Sequence, residues 1–465
     1  MNRRVLGRVN NHNLIQGSYM CNLYNAADSD DDSLCDGEER FIGSYPNNAD
    51  SDGDFISDTV EYVGGYRGVE LIDYGVNPLR KTKLIELDYL NYHSDEPYIS
   101  DYTKVAEEAI TKVVEAFANA PVDNPDGSTG IDLFIDQDNV IDPMKYAFYQ
   151  PRVTAYDPSY KVYEPYWYLH REQIGEDDWK QPVYNIYYPG DLDPRWTVFD
   201  RMKADHFNPA REKFFHYAIS ASRVYHVDEG VLEVVLGLSR GIPSSQFTIS
   251  NSSSTNYEMS AMLLMHEFGH NLGLGHGGND NVNFKANYFS IMNYNYGYLH
   301  GLSVEGVDKI LDYSRLQIAG VSENNLNETS AFSPDPEGPN TERELAKYGV
   351  AYTKSQKPAA SGWLSGNASS YLDFNRNGNR TDVGISADLN ADGTSSTRHP
   401  ASQNDWDNLY YGGSPDTLGD VFLGTKQRPT GYSVIPDLVE GCIPIKQSSE
   451  ENKPTELEDA LNPEM

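Results

Sequence analysis

Three histidines and one glutamate lie within the eleven residues 266–276 at a spacing that suits a metal site. His266 and His270 are four residues apart, so a helix would place both imidazoles on one face, one turn apart. Glu267 would lie about 100° round the helix from His266, close enough to hold a water but not placed as a ligand. A turn at Gly273 would bring His276 to the same ion. Three neutral imidazoles and one open position are the pattern of a catalytic zinc site.

The residues around these histidines predict the helix that must position them. The stretch 258–272 contains no proline, and apolar residues occur on every side of the predicted helix. A helix that is apolar all round is buried, so the metal would lie where this helix ends, at the floor of a cleft. The alternative is two core histidines that happen to be four residues apart. The added Gly273 and His276 favour the metal site.

An acidic repeat within residues 20–62 predicts cation binding. In both copies acids fall at positions 1, 3, 5, 9 and 12 of a twelve-residue loop, the side-chain ligand positions of an EF-hand-type calcium loop. The predicted calcium ligands are Asp28, Asp30, Asp32, Asp36 and Glu39 in the first loop, and Asp50, Asp52, Asp54, Asp58 and Glu61 in the second. Neither loop has glycine at position 6, which argues against a full EF-hand. A solvated acidic linker is the alternative.

Two further calcium-like loops occur nearer the C-terminal end. Each offers oxygen ligands at positions 1, 3 and 5 and glycine at position 6. The predicted ligands are Asp373, Asn375 and Asn377 in one loop, and Asp388, Asn390 and Asp392 in the other. Both loops lack the glutamate of position 12, so Asp382, Asp405 or Asp407 would have to supply further oxygens.

Hydrophobic periodicity predicts the elements that lead to the histidine helix. Apolar and polar residues alternate over 83–90, which predicts a strand, and apolar residues recur at helical spacing over 101–120. Residues 131–135 predict a second strand, so the three elements form a βαβ unit with a parallel strand pair. The stretches 231–238 and 246–250 predict further strands just before the helix.

Composition limits the partners of this chain. Its 465 residues carry a formal net charge of −34 at pH 7, which would repel phosphates, so neither nucleic acid nor an anionic membrane is expected as a partner. No apolar run is long enough to span a bilayer, and no signal-peptide core is visible at the start. Cys21 and Cys35 could form a disulfide around the first acidic cluster, with Cys442 left over; free thiols are the alternative.

The histidine run is followed by 290–294, which read Ser-Ile-Met-Asn-Tyr, and this combination resembles the metzincin clan of zinc endopeptidases. The resemblance implies that Met292 forms a turn beneath the metal, as a hydrophobic base and not a ligand. It also implies that Tyr294 approaches the zinc as a fifth ligand or oxyanion stabiliser; a plain packed tyrosine is the alternative. The arrangement over 84–330 resembles secreted bacterial and archaeal metalloproteases, and the acidic loops resemble thrombospondin type 3 repeats. These resemblances imply an extracellular or cell-surface location.

The expected fold class is α+β, with a twisted mixed sheet, an active-site helix and a methionine turn below it. The expected divisions are a calcium-binding segment 1–80, a metzincin-like zinc peptidase domain 81–330, a calcium-binding loop-rich segment 331–430, and an acidic tail 431–465. A Tyr- and Pro-rich insertion, 144–200, would either form a packed aromatic cluster or line a substrate groove.

The expected function is hydrolysis of peptide bonds in a protein or peptide substrate, with Zn²⁺ and Ca²⁺ as cofactors. A zinc-activated water would attack the scissile carbonyl, and Glu267 would act as its general base. One alternative is a catalytically inactive metzincin-like protein of the cell surface that binds calcium and a partner. Another is a zinc hydrolase that acts on a non-peptide bond.

Overall fold

The computed structural model describes residues 26–90, 103–137, 139–141, 185–187, 196–221, 223–228, 231–251, 257–280, 282–352, 364–390, 392–412 and 441–442. Most of the insertion 144–200, nearly all of the tail 431–465, and Cys21 lie outside the described residues. In the described part no helix combines the length and apolarity needed to cross a membrane.

The described residues form short helices and strands, with several runs of consecutive strands. The helices are α1 (Asp36–Ile42), α2 (Asp58–Val63), α3 (Glu107–Ala118), α4 (Thr197–His206), α5 (Tyr257–Asn271) and α6 (Glu342–Leu345), with a π-helix at Asn295–His300. The strands up to α5 are β1 (Thr82–Leu90), β2 (Asp132–Asp136), β3 (Val140–Ile141), β4 (Asn185–Tyr187), β5 (Phe215–Ala221), β6 (Arg223–Asp228), β7 (Val231–Val235), β8 (Gly237–Ser239) and β9 (Gln246–Ser250). The later strands are β10 (Leu302–Val304), β11 (Val307–Ile310), β12 (Val321–Ser322), β13 (Leu326–Asn327), β14 (Gly349–Tyr352), β15 (Leu364–Asn367), β16 (Val383–Ile385), β17 (Arg398–His399) and β18 (Gly441–Cys442).

A mainly parallel sheet forms the centre of the molecule. Strands β2, β1, β5 and β9 lie side by side and parallel, and β8 adds an antiparallel strand next to β9. The short β18 pairs with β8, and β3 continues beside the end of β1. Every residue of β1 is buried, as expected for the central strand of a sheet that is covered on both faces. The predicted βαβ unit is confirmed, with α3 connecting parallel strands β1 and β2.

Helices α3 and α5 cover one face of the sheet. Their shared core includes Phe117 of α3 and Phe268 of α5, whose ring centroids are 5.4 Å apart, and Phe247 of β9. Tyr313 and Trp406 close this core from the C-terminal side. The helix predicted at 258–272 is therefore present within one residue of its expected ends, and it is buried as expected.

The acidic repeat packs against the opposite face. Ile56 and Val60, from the second loop and α2, share a core with Leu84 of β1 and Tyr217 of β5. A third core joins Phe289, which follows the histidine helix, to residues on both sides of position 330, such as Leu326, Phe374 and Leu389. Hydrophobic cores thus continue across positions 80 and 330, where the sequence suggested boundaries. The chain is a mixed α/β protein in which helices and long loops pack on one central sheet.

Candidate zinc centre and acidic cation loops

The three predicted zinc ligands come together at the end of α5. The ring centroids of His266 and His270 are 4.8 Å apart, and that of His276 lies 5.4 Å from the first and 4.8 Å from the second. One ring nitrogen from each histidine lies within 4.8 Å of the other two, and all three side chains are buried. A single ion at their centre would therefore be in reach of all three donors.

Main-chain carbonyls fix the orientation of two of these rings. His266 Nδ1 is 2.9 Å from the carbonyl oxygen of Ile291, and His270 Nδ1 is 2.7 Å from that of Leu274. Because a carbonyl oxygen only accepts, each Nδ1 carries the proton and each Nε2 keeps its lone pair. His266 Nε2 is buried and has no hydrogen-bond partner among the described atoms. This donor set fits a metal ion that prefers nitrogen ligands.

The electrostatics of these histidines also suit a metal. Burial, helped by the neighbouring His276, lowers the pKa of His266 to about 3. Burial and the neighbouring histidines lower the pKa of His270 well below its usual value. Both imidazoles are therefore neutral at pH 7, which is the form that binds zinc.

A left-handed turn delivers the third histidine, as the sequence predicts. Gly273 has φ +91°, and its N–H donates to the carbonyl of His270 at 3.0 Å. Leu274 N–H then donates to the carbonyl of Gly269 at 2.9 Å, which closes the end of the helix. The same Leu274 orients His270 through its carbonyl, so this one turn positions two of the three ligands.

Glu267 is fully buried, and strand β8 passes directly against its carboxylate. A Cβ atom placed on Gly237 would lie 2.2 Å from Oε1 of Glu267, so a side chain at that position would displace the carboxylate. The sequence gives no signal for this role, since Gly237 lies inside the apolar stretch 231–238 and contacts Glu267 only through the fold.

Met292 and Tyr294 lie against the histidine group. A Cβ atom on Gly269 would lie 2.4 Å from the Met292 sulfur, so the methionine packs directly on the backbone of α5. The Tyr294 ring centroid is 4.2 Å from that of His276 and 6.0 Å from that of His266. The structure therefore brings both predicted residues to the site, Met292 through its packing and Tyr294 through its ring.

The first three acids of each N-terminal loop form a compact oxygen cluster. Carboxylate oxygens of Asp28, Asp30 and Asp32 lie within 4.8 Å of one another, and so do those of Asp50, Asp52 and Asp54. The backbone is left-handed at position 6 in both loops, with φ +81° at Ser33 and +72° at Phe55, although neither residue is glycine. The turn that an EF-hand-type loop needs is thus present without the usual residue.

The predicted glutamates at position 12 are buried among other carboxylates. Both carboxylate oxygens of Glu39 and of Glu61 are buried and have no hydrogen-bond partner in the described part of the chain. Burial and the surrounding carboxylates raise the pKa of Glu39 to about 8 and that of Glu61 well above its usual value. Burial, with Asp54 and Asp50, raises the pKa of Asp52 to about 10. Clustered carboxylates with such pKa values fit a bound divalent cation.

The acids at position 9 accept hydrogen bonds that stabilise the loops. Ser29 donates to Asp36 from its N–H at 2.9 Å and from its hydroxyl at 3.0 Å. Ser51 donates to Asp58 in the same way, at 2.8 and 2.6 Å. In EF-hand-type loops position 9 often reaches the ion through a water, which this arrangement permits.

The C-terminal loops take carboxylates from elsewhere in the chain. Glu323 has an oxygen within 4.8 Å of those of Asp388 and Asp392. Its carboxylate accepts the N–H of Leu389 at 2.7 Å and that of Thr397 at 3.1 Å. The sequence does not reveal Glu323, because it lies more than sixty residues before the loop that it contacts.

The loop that begins at Asp373 is built in the same way. Its Asp373 accepts the N–H groups of Asn377 and Gly378 at 3.0 and 2.8 Å. Glu328 accepts the N–H of Asp382 at 3.1 Å, and Asp382 itself accepts the side-chain amide of Asn377 at 2.7 Å.

Asp382 is thus the one of the three suggested extra acids that the structure places at a loop. Asp405 instead accepts the Tyr288 hydroxyl at 2.6 Å, and Asp407 accepts the Asn404 amide at 2.7 Å.

Cys35 is disulfide-bonded, and its partner lies outside the described side chains. Comparison of the chain with protein-family models, with curated proteins and with solved structures found no match.

Proposed function

We propose that this protein is a zinc-dependent endopeptidase of the metzincin type. The observation that carries the proposal is the convergence of three buried imidazoles at the end of a helix that also carries the buried Glu267. His266, His270 and His276 would hold the ion, and three protein ligands leave a coordination position open for chemistry. A structural zinc site would use a fourth protein ligand instead.

Each residue around the proposed ion has a separate role in the mechanism. When bound, zinc polarises the scissile carbonyl and lowers the pKa of a water. Glu267 accepts a proton from the attacking water and donates it to the leaving nitrogen. Tyr294, with its ring against His276, stabilises the developing oxyanion. The packing of Met292 on Gly269 supports the helix from below, as a methionine turn would.

We also propose that the N-terminal loops bind calcium. The supporting observation is the burial of the Glu39 and Glu61 carboxylates in clusters of like charge, without a hydrogen-bond partner in the described residues. Calcium takes six to eight oxygen ligands, and a bidentate glutamate at position 12 is part of that set. The disulfide at Cys35 supports an oxidising, extracellular setting, in which calcium is also abundant.

Replacement of the proposed base tests the peptidase. We expect Glu267→Ala to keep stoichiometric zinc, measured by metal analysis, while cleavage of casein falls by about 10² to 10⁴-fold. The matched control is Glu258→Ala on the same helix, since Glu258 is exposed and pairs with Lys309 at 2.8 Å. Near-normal turnover in the Glu267 variant would exclude this mechanism.

The same assay separates the alternatives. An inactive calcium-binding surface protein would bind zinc and calcium but cleave neither casein nor a peptide library. A zinc hydrolase of another class would fail on peptides and succeed in a screen of ester and amide substrates. Cleavage that stops when zinc is removed and returns when zinc is restored supports the endopeptidase.

A further inference from the structure

The second acidic loop contacts the turn that completes the histidine centre. The ring centroid of Phe55, at position 6 of this loop, lies 5.5 Å from that of Tyr410. Tyr410 N–H donates to the carbonyl of Leu272 at 2.8 Å, immediately before the left-handed Gly273. Tyr410 also packs against Gly273 itself, where an added Cβ would lie 3.3 Å from the Tyr410 Cβ.

A second connection runs through a buried lysine. Lys83 Nζ donates to the carbonyl of Asp54 at 2.5 Å and to the carbonyl of Tyr411 at 2.9 Å. The Asp54 carboxylate also accepts the N–H of Thr82 at 2.7 Å. Two independent contacts thus lead from the second loop to residues 410–411, and from there to the turn after α5.

The loop can hold this conformation only if its charge is balanced. Asp50, Asp52, Asp54 and Glu61 are all buried, and the two lysines beside them, Lys81 and Lys83, balance only part of their charge. Buried carboxylates without full compensation carry a large desolvation cost. A divalent cation removes that cost, and its ligand Asp50 also holds Phe55 directly, since Asp50 accepts the Phe55 N–H at 2.9 Å.

We propose that the cation in the loop 50–61 stabilises the turn 272–276, so that calcium and zinc bind with positive linkage. The proposal rests on the proposed zinc centre and calcium loops, and it adds a regulatory connection between them. Loss of calcium loosens Phe55 and Lys83, which releases residues 410–411 and then the turn that positions His270 and His276. Because linkage is reciprocal, zinc must tighten calcium binding by the same factor.

The first loop provides a control within the same chain. It reaches the second loop through Thr59, whose hydroxyl donates to the Asp32 carbonyl at 2.8 Å. Its position 6 is Ser33, with the same left-handed backbone as Phe55. In the described part of the chain, the aromatic contact with Tyr410 comes from the second loop.

The experiment measures zinc affinity of the full chain by competition with a chromophoric zinc chelator, at saturating and at depleted free calcium. We expect zinc to bind at least about tenfold more weakly without calcium, within the usual range of coupling between sites. Calcium titration of the zinc-free and zinc-loaded chain must give the same factor. Equal zinc affinity in both calcium conditions would overturn the proposal.

Paired variants locate the coupling. Phe55→Gly suits the left-handed backbone and removes only the ring, so calcium binding should persist while the linkage factor falls at least about threefold. Ser33→Gly, the matched change in the first loop, should keep the full factor. Glu61→Gln should weaken zinc binding, and Glu39→Gln should leave it unchanged. Equal effects of the two members of either pair would show general destabilisation and would overturn the proposal.

These readouts do not depend on catalysis. A chain that shows the linkage but cleaves no peptide would refute the proposed peptidase and leave the linkage standing. A chain that cleaves peptides with a zinc affinity independent of calcium would refute the linkage and leave the proposed peptidase standing.

Discussion

The histidine centre and the N-terminal acidic loops prepare for a buried cation in opposite ways. At the histidine centre burial keeps His266 and His270 neutral, and carbonyls of Ile291 and Leu274 hold these two rings in place. The loop ligands are charged, and Glu39 and Glu61 are buried without hydrogen-bond partners in the described structure. Hydrogen bonds within the chain therefore organise the first site, whereas the proposed calcium would have to organise the second.

The C-terminal loops lie between these extremes. Glu323 is as buried as Glu39, but it accepts main-chain N–H groups from Leu389 and Thr397. Glu328 binds Asp382 N–H in the same manner. These hydrogen bonds satisfy part of the accepting capacity of each carboxylate without any cation. We therefore expect these loops to depend less on calcium than the N-terminal pair.

Removal of each metal tests most directly whether the N-terminal loops depend on a bound ion more than the histidine centre does. For each N-terminal site, calcium at a hundred times its Kd stabilises the closed loop by about 2.7 kcal/mol, so its removal should raise the open population about 100-fold. We expect limited proteolysis by a metal-independent serine protease to accelerate by a similar factor within residues 26–80.

Zinc removal at constant calcium is the comparison for that experiment. It should accelerate cleavage within residues 26–80 less than calcium removal does, because loss of zinc weakens calcium binding only by the linkage factor. Mass spectrometry of the fragments identifies the cut sites. Faster cutting without zinc than without calcium would reverse the comparison.

Substitution of Gly237 tests whether the chain alone positions the carboxylate of the zinc centre. An alanine Cβ would lie 2.2 Å from Glu267 Oε1, so the carboxylate must move. A displacement of about 1 Å costs up to about 10²-fold in rate, so we expect Gly237→Ala to lower kcat/KM by about 10- to 100-fold with zinc retained. Gly241→Ala, where the nearest atom would be 3.4 Å away, should leave the rate unchanged. Loss of zinc instead of rate would contradict this reading of the contact.

Substitution of Gly269 tests the support beneath the helix. An added Cβ would lie 2.4 Å from the Met292 sulfur and 3.0 Å from the Tyr313 hydroxyl. Overpacking of this kind typically costs about 1–3 kcal/mol, so we expect Gly269→Ala to lower the free energy of unfolding by that amount. Gly37→Ala in α1 meets no atom within 4 Å and should not destabilise the protein. Chemical denaturation measures the free energy of unfolding of both variants. Equal values would contradict the proposed support of the helix by Met292.

The local placement of the histidines was predictable from the sequence. His266, His270, Gly273 and His276 fall within eleven residues, so helix geometry and one turn decide their placement. The βαβ unit was predictable for the same reason, because its periodicity is a property of short stretches.

The contacts between distant segments were not predictable. Gly237 meets Glu267, Glu323 meets Asp388, and Phe55 meets Tyr410 only because the sheet and the three cores bring those segments together. No periodicity or spacing in one sequence encodes such pairs.

The N-terminal loops show that backbone conformation was also hard to predict from residue type alone. The absence of glycine at position 6 argued against an EF-hand-type turn, yet Ser33 and Phe55 adopt the left-handed backbone. The Asp50 carboxylate accepts N–H groups of Gly53, Asp54 and Phe55, which offsets a strain of about 1–3 kcal/mol. In the second loop these side-chain hydrogen bonds therefore support the turn without glycine at position 6.

The smallest effect is expected at Tyr294, and it sharpens the account of the zinc centre as a site that the chain organises. The centroid of its ring lies 4.2 Å from that of the His276 ring, and this packing does not require the hydroxyl to take part in catalysis. If the hydroxyl stabilises the oxyanion, Tyr294→Phe should lower kcat about tenfold with little change in KM or zinc affinity, because that hydrogen bond forms only in the transition state. Tyr296→Phe is the matched control, since its ring packs on Phe289 instead of the histidines. An unchanged kcat in the Tyr294 variant would mean that Tyr294 only packs against the histidines. Glu267 would then be the protein group proposed to act on the reacting atoms.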